Sequence, residues 1–419
     1  MKGSLFFLSY YFPPSNAIGG HRILKLANEL SSVWECSIYA SSHYYEGRYD
    51  NQLTHQIGNE NIKLIRLSPL WDRVFTALVH RNPSGFMARG IRRLGRIIMI
   101  PDIAILWSGL TRRKIIKDVE KHPSERKVIW VSMSPFSSGI AGVLAKKRTG
   151  AKLILDFRDP WTISPMYRHG RMRKWLEQKV EKWMLGYADR VLVTSEGSRR
   201  LFEMHYPSVK HKVKVITNAF VPLADSPSPK EKETGREEIT ITYTGSFYGD
   251  RQPFTFLEGF SSWKKGQKHP NKVKIVFAGS NNYTRIRKYA EALGILDNIE
   301  FYQEISYSKS LEMMQKADVL LLLNGKHPSN DVFIPAKLFD YMRVGKPILF
   351  IGGGSTAEII KKCELGEVAP HRPKDISKRL ETLLDVDYLS GFTIGDIKEY
   401  SISSIGRNVN KLLEEILET

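Results

Sequence analysis

The sequence is poor in cysteine and has no long apolar run. Its 419 residues include two cysteines, Cys36 and Cys363, which argue against a disulfide framework and a cysteine-based zinc site. No stretch reaches the roughly 18 consecutive apolar residues that a membrane-spanning helix needs. The first residues also lack the basic segment, long apolar core and cleavage site of a signal peptide. We therefore expect a cytoplasmic protein.

The signatures of several kinds of active site are missing as well. The sequence has no GxGxxG or Walker motif, no metal-ligand spacing and no convincing Ser-His-Asp set. Helix-turn-helix, zinc-finger and RNP patterns are also absent, which disfavours a nucleic-acid-binding protein. The sequence thus predicts no resident metal ion, no cofactor and no nucleic-acid partner.

Positive charge is present in excess, but only in the first half of the chain. Residues 1–220 contain 36 Lys and Arg against 17 Asp and Glu, whereas the remaining residues contain 27 of each. A strongly basic half indicates an anionic partner; charge alone would allow nucleic acid, which the missing motifs disfavour, phospholipid or an acidic acceptor. The alternative is a feature that serves solubility and has no partner.

The hydrophobic pattern predicts an α/β protein with two doubly wound, Rossmann-like domains. In both halves, short apolar runs rich in β-formers alternate with amphipathic helical stretches, as is typical of parallel sheets covered by helices on both faces. We expect the first domain at residues 1–220 and the second at 239–400, separated by a Pro- and Ser-rich linker at 221–238. A terminal helix at 401–419 is expected to dock on the first domain.

Ligands of open α/β sheets bind at the carboxyl ends of the strands, so binding motifs are expected there. Gly19 and Gly20 open the helix after the first strand, where backbone N–H groups and the helix dipole can hold a phosphate; a plain turn is the alternative. After the strand KLIL, the residues Asp156, Arg158 and Asp159 indicate a polar cluster. This cluster either orients an acceptor hydroxyl or holds the loop together.

The second domain has two further motifs at strand ends. Its first strand ends at Gly245 and Ser246, and the guanidinium of Arg251 can face a diphosphate from there. A surface arginine at a helix start is the alternative. Further along, Pro335 opens a helix that contains Asp340. That carboxylate can accept hydrogen bonds from a ribose, or it can simply suit the positive end of the helix dipole.

Together these motifs resemble those of a known family. Their order and spacing make the chain similar to family 4 of the retaining, nucleotide-sugar-dependent glycosyltransferases, and within it to the bacterial surface-polysaccharide branch. The resemblance rests on the segments YFPPSNAIGGHR, DFRDPW, ADRVLVTSEGSRRLF, KVITNAF, YTGSFYGDRQP, ADVLLLL and IPAKLFDYMRVGKPIL. It implies the GT-B fold, in which two Rossmann-like domains face each other across a cleft.

The resemblance also implies where the donor binds. Glycines 19 and 20 match a glycine loop beside the donor phosphates, and Gly245 matches the phosphate loop of the second domain. Of the basic pair that clamps the diphosphate, Arg251 matches the lysine, but Ser246 stands where arginine is usual. Lys337 is a candidate for the missing cation. The donor-binding residues predicted in this way are Gly19, Gly20, Gly245, Ser246, Arg251, Pro335, Lys337, Leu338 and Asp340.

Other positions depart from the family pattern. Asp340 matches the second glutamate of the E-x7-E motif, which binds the ribose, whereas Val332 occupies the position of the first glutamate, with Asp331 before it. The usual histidine after the fourth strand is replaced by serines. The acceptor region is predicted at Asp156, Arg158, Asp159 and Ser134, and the catalytic residues at Arg251, Lys337 and Asp159.

The implied reaction is transfer of a sugar from a nucleotide-diphosphate sugar, a UDP-sugar above all, to a glycan or polyprenyl-linked acceptor. It would proceed with retention of configuration and without metal, in cell-surface polysaccharide biosynthesis. One alternative is a sugar-nucleotide epimerase on the same fold. The other is a basic membrane- or nucleic-acid-binding protein without catalysis.

The basic first domain also suggests contact with an anionic membrane surface, which would make the protein peripheral at the inner face of the plasma membrane. Cationic residues beside apolar ones suit a helix that lies on anionic lipid. The residues predicted for this contact are Arg89, Arg92, Arg93 and Arg96. A second basic patch at residues 171–174 precedes Trp175 and Trp183, whose spacing favours packing within the domain.

Overall fold

The structure is a computed structural model. It describes residues 1–15, 17–42, 51–58, 60–69, 99–167, 169–222, 238–267, 272–280 and 282–418. The chain divides into two compact units, which we call unit 1 (Met1–Ala219 with Ile402–Thr419) and unit 2 (Phe220–Ser401). Most of the predicted linker lies outside the described residues. So do the four arginines predicted to contact a membrane, Arg89, Arg92, Arg93 and Arg96.

Unit 1 is built on a parallel sheet. In the described part of the chain its strand order is β3-β2-β1-β4-β5-β6-β7. The strands are β1 Ser4–Leu8, β2 Glu35–Ser41, β3 Ile62–Leu67, β4 Lys127–Met133, β5 Lys152–Phe157, β6 Arg190–Val193 and β7 Val213–Val215. The helices are α1 Ile18–Leu30, α2 Ile105–Lys121, α3 Ser137–Thr149, α4 Arg171–Tyr187, α5 Glu196–His205 and α13 Ile402–Glu418. Short 3-10 helices lie at Asn51–Gln56 and Pro207–Lys212.

Helices cover both faces of this sheet. Helices α2 to α5 pack on one face, and α1 and α13 pack on the other. The strands are continuous apolar runs because both of their faces are buried; all five residues of β1, for example, are buried. The C-terminal helix α13 packs against α1 through one apolar stripe. The buried residues of that stripe are Ile402, Ile405, Val409, Leu412, Leu413 and Ile416.

Unit 2 repeats the same architecture. Its parallel sheet has the order β10-β9-β8-β11-β12-β13 among the residues described. The strands are β8 Glu238–Thr244, β9 Lys272–Ala278, β10 Ile299–Tyr302, β11 Val319–Leu323, β12 Ile348–Ile351 and β13 Gly366–Ala369. The helices are α6 Phe254–Gly266, α7 Thr284–Ala292, α8 Tyr307–Lys316, α9 Lys337–Val344, α10 Gly354–Lys362, α11 Pro373–Leu383 and α12 Val386–Gly391. Three 3-10 helices lie at Leu296–Asn298, Pro328–Val332 and Lys398–Tyr400.

The prediction of two doubly wound α/β units is therefore confirmed. Each of the strands β1 to β12 coincides with a short apolar run of the sequence, whereas β13, with the sequence GEVA, does not and was not predicted. Within the described ranges, no helix combines the length and the apolar character that crossing a bilayer requires.

Candidate functional site

The candidate site of unit 2 begins where β8 ends. Gly245 follows this strand with a φ of +119°, and a Cβ atom at this position would overlap the ammonium group of Lys337. Glycine suits the position because L side chains rarely adopt this backbone conformation, and a side chain would also displace the end of the lysine. The hydroxyl of Ser246 donates a 2.8 Å hydrogen bond to the carbonyl of Gly279, at the end of β9. The glycine loop is thus held against the neighbouring strand.

Lys337 is a basic residue whose side chain lies against this loop. It is the first residue of α9, and its ammonium nitrogen lies 4.1 Å from the centroid of the Tyr243 ring. Burial lowers the pKa of Lys337 from 10.5 to about 7; the nearby charge of Arg251 acts in the same direction, and Asp340 opposes it. In the free site this lysine is therefore about half protonated at pH 7. A bound anion would favour its charged form.

Arg251 is the second cation of the site. Its Nη1 donates a 2.7 Å hydrogen bond to the hydroxyl of Tyr248, and its Nη2 donates one of 3.3 Å to the side-chain oxygen of Asn324. The guanidinium carbon also lies 5.0 Å from the centroid of the Tyr248 ring. Its buried Nε has no hydrogen-bond partner among the residues that the structure describes. The side chain is thus oriented by two neighbours and keeps a donor unused.

A network of amide and carboxylate groups supports Arg251. The side-chain nitrogen of Asn324 donates to the carbonyl of Asn330 over 2.9 Å, and that of Asn330 donates to Asp250 over 3.0 Å. The backbone N–H of His327 donates to the same Asp250 carboxylate over 3.1 Å. These bonds join the loop after β8 to the loop after β11. Asp250, which precedes Arg251 in the chain, is therefore fixed in place.

Asp340 lies in the first turn of α9, on the same helix as Lys337. The hydroxyl of Tyr307, the first residue of α8, donates a 2.9 Å hydrogen bond to its Oδ1. Burial raises the pKa of Tyr307, and the negative charge of Asp340 raises it further, so the phenol stays protonated and remains a donor. Tyr307 therefore sets the orientation of the Asp340 carboxylate.

The other positions predicted on this segment have different surroundings. Pro335 and Leu338 are buried and support the start of α9. The carboxylate of Asp331, next to the position of the missing first glutamate, lies beside Gly353, which caps α10. At Gly354, a Cβ atom would collide with Asp331 itself. The close backbone of Asp331 explains the glycine at position 354, and the Asp331 carboxylate places a negative charge at the positive end of α10.

In unit 1, the structure brings the glycine loop and the DFRDPW segment together. A Cβ atom on Gly19 would lie 2.7 Å from the guanidinium carbon of Arg158, so this side chain passes directly over the glycine. A Cβ atom on Gly20 would likewise lie 3.1 Å from the backbone of Phe12. The Nε of Arg158 is buried and has no hydrogen-bond partner in the described part of the chain. A cation therefore lies at the N-terminus of α1.

For Asp156, the structure favours the second of its two predicted roles, which is to hold the loop. It is fully buried, and Arg22 binds both of its oxygens, at 2.9 and 3.2 Å. The indole N–H of Trp130 donates a further bond of 3.2 Å. Arg22 also donates to the carbonyls of Ile216 and Thr217, at 2.9 and 2.7 Å. The predicted polar cluster of Asp156, Arg158 and Asp159 is therefore corrected at Asp156, whose partner is Arg22.

The remaining acceptor residues lie on adjacent loops. Asp159 follows β5 and is exposed, whereas Ser134 follows β4 and is partly buried. The rings of Phe136 and Trp161 stack at 4.7 Å with an angle of 11° between them, which joins the two loops. An exposed carboxylate and a serine thus lie on neighbouring loops at the carboxyl ends of paired strands.

The fold of the chain is similar to that of several solved proteins, two glycosyltransferases among them. HepE of Anabaena, solved with UDP and glucose, has a TM-score of 0.65 at 12% identity, over 98% of this chain and 99% of that one. A glycosyltransferase from Rickettsia africae gives 0.63 at 14%, over 100% and 99%. WaaG, a glycosyltransferase involved in lipopolysaccharide biosynthesis, gives 0.54 at 13%, over 99% and 98%. Comparison of the sequence with curated proteins gives no match.

Family models cover most of both units. Residues 66–219 match the glycosyl transferase 4-like domain, and residues 226–389 match glycosyl transferases group 1. The chain is a glycosyltransferase of the GT-B type.

Several residues of the glycosyltransferase's candidate site were not predicted from its sequence. Tyr243, Tyr307 and Asn324 contact Lys337, Asp340 and Arg251. Asn324 could have been predicted, because it lies directly after a buried strand, and polar residues at strand ends are typical of binding sites.

Proposed function

We propose that the glycosyltransferase moves a sugar from a nucleoside diphosphate sugar, with a UDP-sugar as the first candidate, to a glycan or polyprenyl-linked acceptor. The observation that carries this proposal is the convergence of Arg251 and Lys337 at the Gly245 loop, with Asp340 on the same helix as Lys337. Two proteins of similar fold support it. HepE was solved with UDP and glucose, and WaaG takes part in lipopolysaccharide biosynthesis. We therefore assign the reaction to cell-surface polysaccharide biosynthesis.

Each part of the donor has a matching group in unit 2. The two cations meet the diphosphate, whose negative charge they neutralise. The Asp340 carboxylate, with one oxygen held by Tyr307, accepts hydrogen bonds from the ribose hydroxyls through the other. The glycine at position 245 keeps the backbone open, so that phosphate oxygens can approach Lys337 closely.

The same groups support a reaction that needs no metal ion. When the bond between the anomeric carbon and the diphosphate breaks, negative charge develops on the leaving phosphate, and Arg251 and Lys337 are already in place to stabilise it. We assign retention of configuration to this reaction. The acceptor hydroxyl attacks on the face that the diphosphate leaves, and the phosphate takes the hydroxyl proton. Asp159 and Ser134 are assigned to orienting the acceptor within unit 1.

Thermal unfolding with added nucleotides tests the donor assignment. We expect UDP to raise the melting temperature by mass action, since a ligand at 100 times its Kd stabilises the folded state by about 2.7 kcal/mol. UMP should stabilise much less, because it lacks the second phosphate. The shift should persist with EDTA. Equal shifts with UMP and UDP, or a shift that requires Mg²⁺, would contradict the role of the two cations. If GDP or ADP stabilised the protein and UDP did not, the proposal would change only in the base of the nucleotide.

The affinity for UDP should fall as the pH rises above about 7, because Lys337 then loses its charge in the free protein. Binding of the diphosphate favours the protonated lysine, so binding takes up a proton in this range, and the affinity is highest where the lysine is already charged. Isothermal titration calorimetry over a pH series measures the effect. Lys337→Arg should flatten the profile, because arginine stays charged throughout.

The terminal phosphate of UDP also titrates, at about pH 6. The test is therefore the difference between the pH profiles of wild type and Lys337→Arg. Lys316→Arg, on the exposed end of α8, is the matched control and should keep the wild-type profile. Identical profiles for wild type and Lys337→Arg would show that Lys337 does not meet the phosphates.

We also assign an anionic membrane surface as a partner of the glycosyltransferase. The positive charge of the first half of the chain supports this, since that half holds the whole net charge of +19. A polyprenyl-linked acceptor would be reached from the membrane surface.

A further inference from the structure

A patch of large apolar side chains is exposed at the start of α4. Met172 is 79% exposed, Trp175 is 54% exposed and Leu176 is 40% exposed, and these residues share one face of the helix. Met166, in the preceding loop, is 43% exposed. For Trp183 the prediction of packing is confirmed, because it packs on the core of unit 1, but for Trp175 that prediction is wrong. Exposed apolar residues that cluster in this way indicate an interaction surface.

The exposed charges on the same face of α4 are all positive. Arg171, Lys179 and Lys182 are exposed. The ammonium of Lys179 lies over the Trp175 ring, 3.7 Å from its centroid. The cations thus flank the apolar side chains, and one of them is directly associated with the tryptophan.

Both carboxylates of α4 are turned into the protein. Glu177 is fully buried, where it forms an ion pair with Arg173 at 2.7 Å and accepts a 2.6 Å hydrogen bond from Tyr167. Glu181 is fully buried as well, and Tyr206 donates to it over 2.8 Å. Burial raises the pKa of Glu181 to about 7. No acidic side chain of this helix therefore offsets the cations on its exposed face.

A second helix presents the same combination nearby. Leu106 and Leu110 of α2 are exposed, and Arg113 follows them on the same face. Arg173, in the first turn of α4, donates a 2.7 Å hydrogen bond to the carbonyl of Pro101, just before α2. Both helices belong to one layer of unit 1, because they pack on the same face of its sheet.

We propose that this part of the glycosyltransferase docks on an anionic lipid bilayer. The docking surface, which we call the α4 surface, consists of Met166, Arg171, Met172, Trp175, Leu176, Lys179 and Lys182. Its apolar side chains enter the boundary between headgroups and acyl chains, where tryptophan is favoured, while its cations meet the anionic headgroups. The occupant is assigned as lipid because the charges of the surface are of one sign and surround an apolar centre.

The α4 surface refines the membrane partner assigned above. Asp159, assigned to the acceptor, lies in the same loop as Met166, which leads directly into α4. Docking at α4 would therefore bring the acceptor loop to the membrane surface. The test of this inference needs neither a donor nor transfer, so its failure leaves the donor site and the reaction untouched.

Vesicle binding tests the proposal. The full-length protein should bind vesicles of phosphatidylcholine with phosphatidylglycerol, bind vesicles of phosphatidylcholine alone much less, and dissociate with salt. Lys179→Gln/Lys182→Gln should bind ~30-fold more weakly, which corresponds to two cations of about 1 kcal/mol each. Brominated lipid should quench the fluorescence of wild type more than that of Trp175→Phe, because bromine would reach Trp175.

Matched variants separate the possible outcomes. Arg407→Gln/Lys411→Gln, on exposed positions of α13 in the opposite layer, removes the same charge and should bind within about twofold of wild type. The proposal is overturned if both pairs weaken binding equally, since total charge would then suffice, or if anionic lipid makes no difference. A wild-type dimer in sedimentation that Trp175→Ser dissociates, without lipid binding, would identify the surface as an interface between copies.

Discussion

Arg251→Ala should lower the turnover of sugar transfer at least ~100-fold. The guanidinium is fixed by Tyr248 and Asn324 before any donor binds, so its charge stabilises the leaving diphosphate without reorganisation. Loss of one such preorganised contact costs on the order of 3 kcal/mol in the transition state. Steady-state release of the nucleoside diphosphate from a UDP-sugar, in the presence of acceptor, measures the change.

Two further variants define what Arg251 contributes. Arg251→Lys keeps the charge but not the planar fork, so it should recover part of the loss. Arg379→Ala, which removes an exposed arginine paired with Glu367 elsewhere in unit 2, should keep near wild-type turnover. Near-wild-type kinetics in Arg251→Ala would refute the assignment of Arg251 to the leaving group.

Arg22→Met should destabilise unit 1 by about 3–5 kcal/mol. Arg22 and Asp156 form a buried pair, with 3% and 0% of their side chains exposed, and the substitution leaves the Asp156 carboxylate buried without its cation. It also removes the donors to the carbonyls of Ile216 and Thr217. Urea unfolding followed by tryptophan fluorescence measures the effect on unit 1, since seven of the eight tryptophans precede residue 220.

The double variant Arg22→Met/Asp156→Leu serves as the matched comparison. It removes both charges together, so it should be clearly more stable than Arg22→Met alone. If the two proteins unfold at the same urea concentration, the ion pair is not what holds the segments together. If Arg22→Met unfolds as wild type does, the buried pair adds nothing to stability.

The sequence was most informative about the sheets. Strands buried on both faces must be apolar throughout, so their runs are visible without any knowledge of partners. The strand β13 was not predicted because it has four residues, includes a glycine and a glutamate, and lies at the edge of its sheet. Such a segment carries neither an apolar run nor an alternating pattern.

The candidate site was predicted less completely, because its residues depend on contacts between distant segments. Gly245 and Lys337 could be selected one by one, but the sequence does not show that one lies against the other. The partner of Asp156 was missed for the same reason, since Arg22 reaches it from another helix. For Trp175, helical spacing groups it with Trp183 but does not reveal which residues the layer below covers.

The course of the chain through unit 2 has a practical consequence. The first and last residues of this unit, Phe220 and Ser401, pair as a parallel bridge, and the N–H of Phe220 donates to the carbonyl of Tyr400 over 3.0 Å. Unit 2 is thus an insertion whose ends adjoin, within a first unit that resumes at Ile402. Excision of residues 220–401 as an independent fragment, or circular permutation across those ends, would leave each sheet with all of its strands.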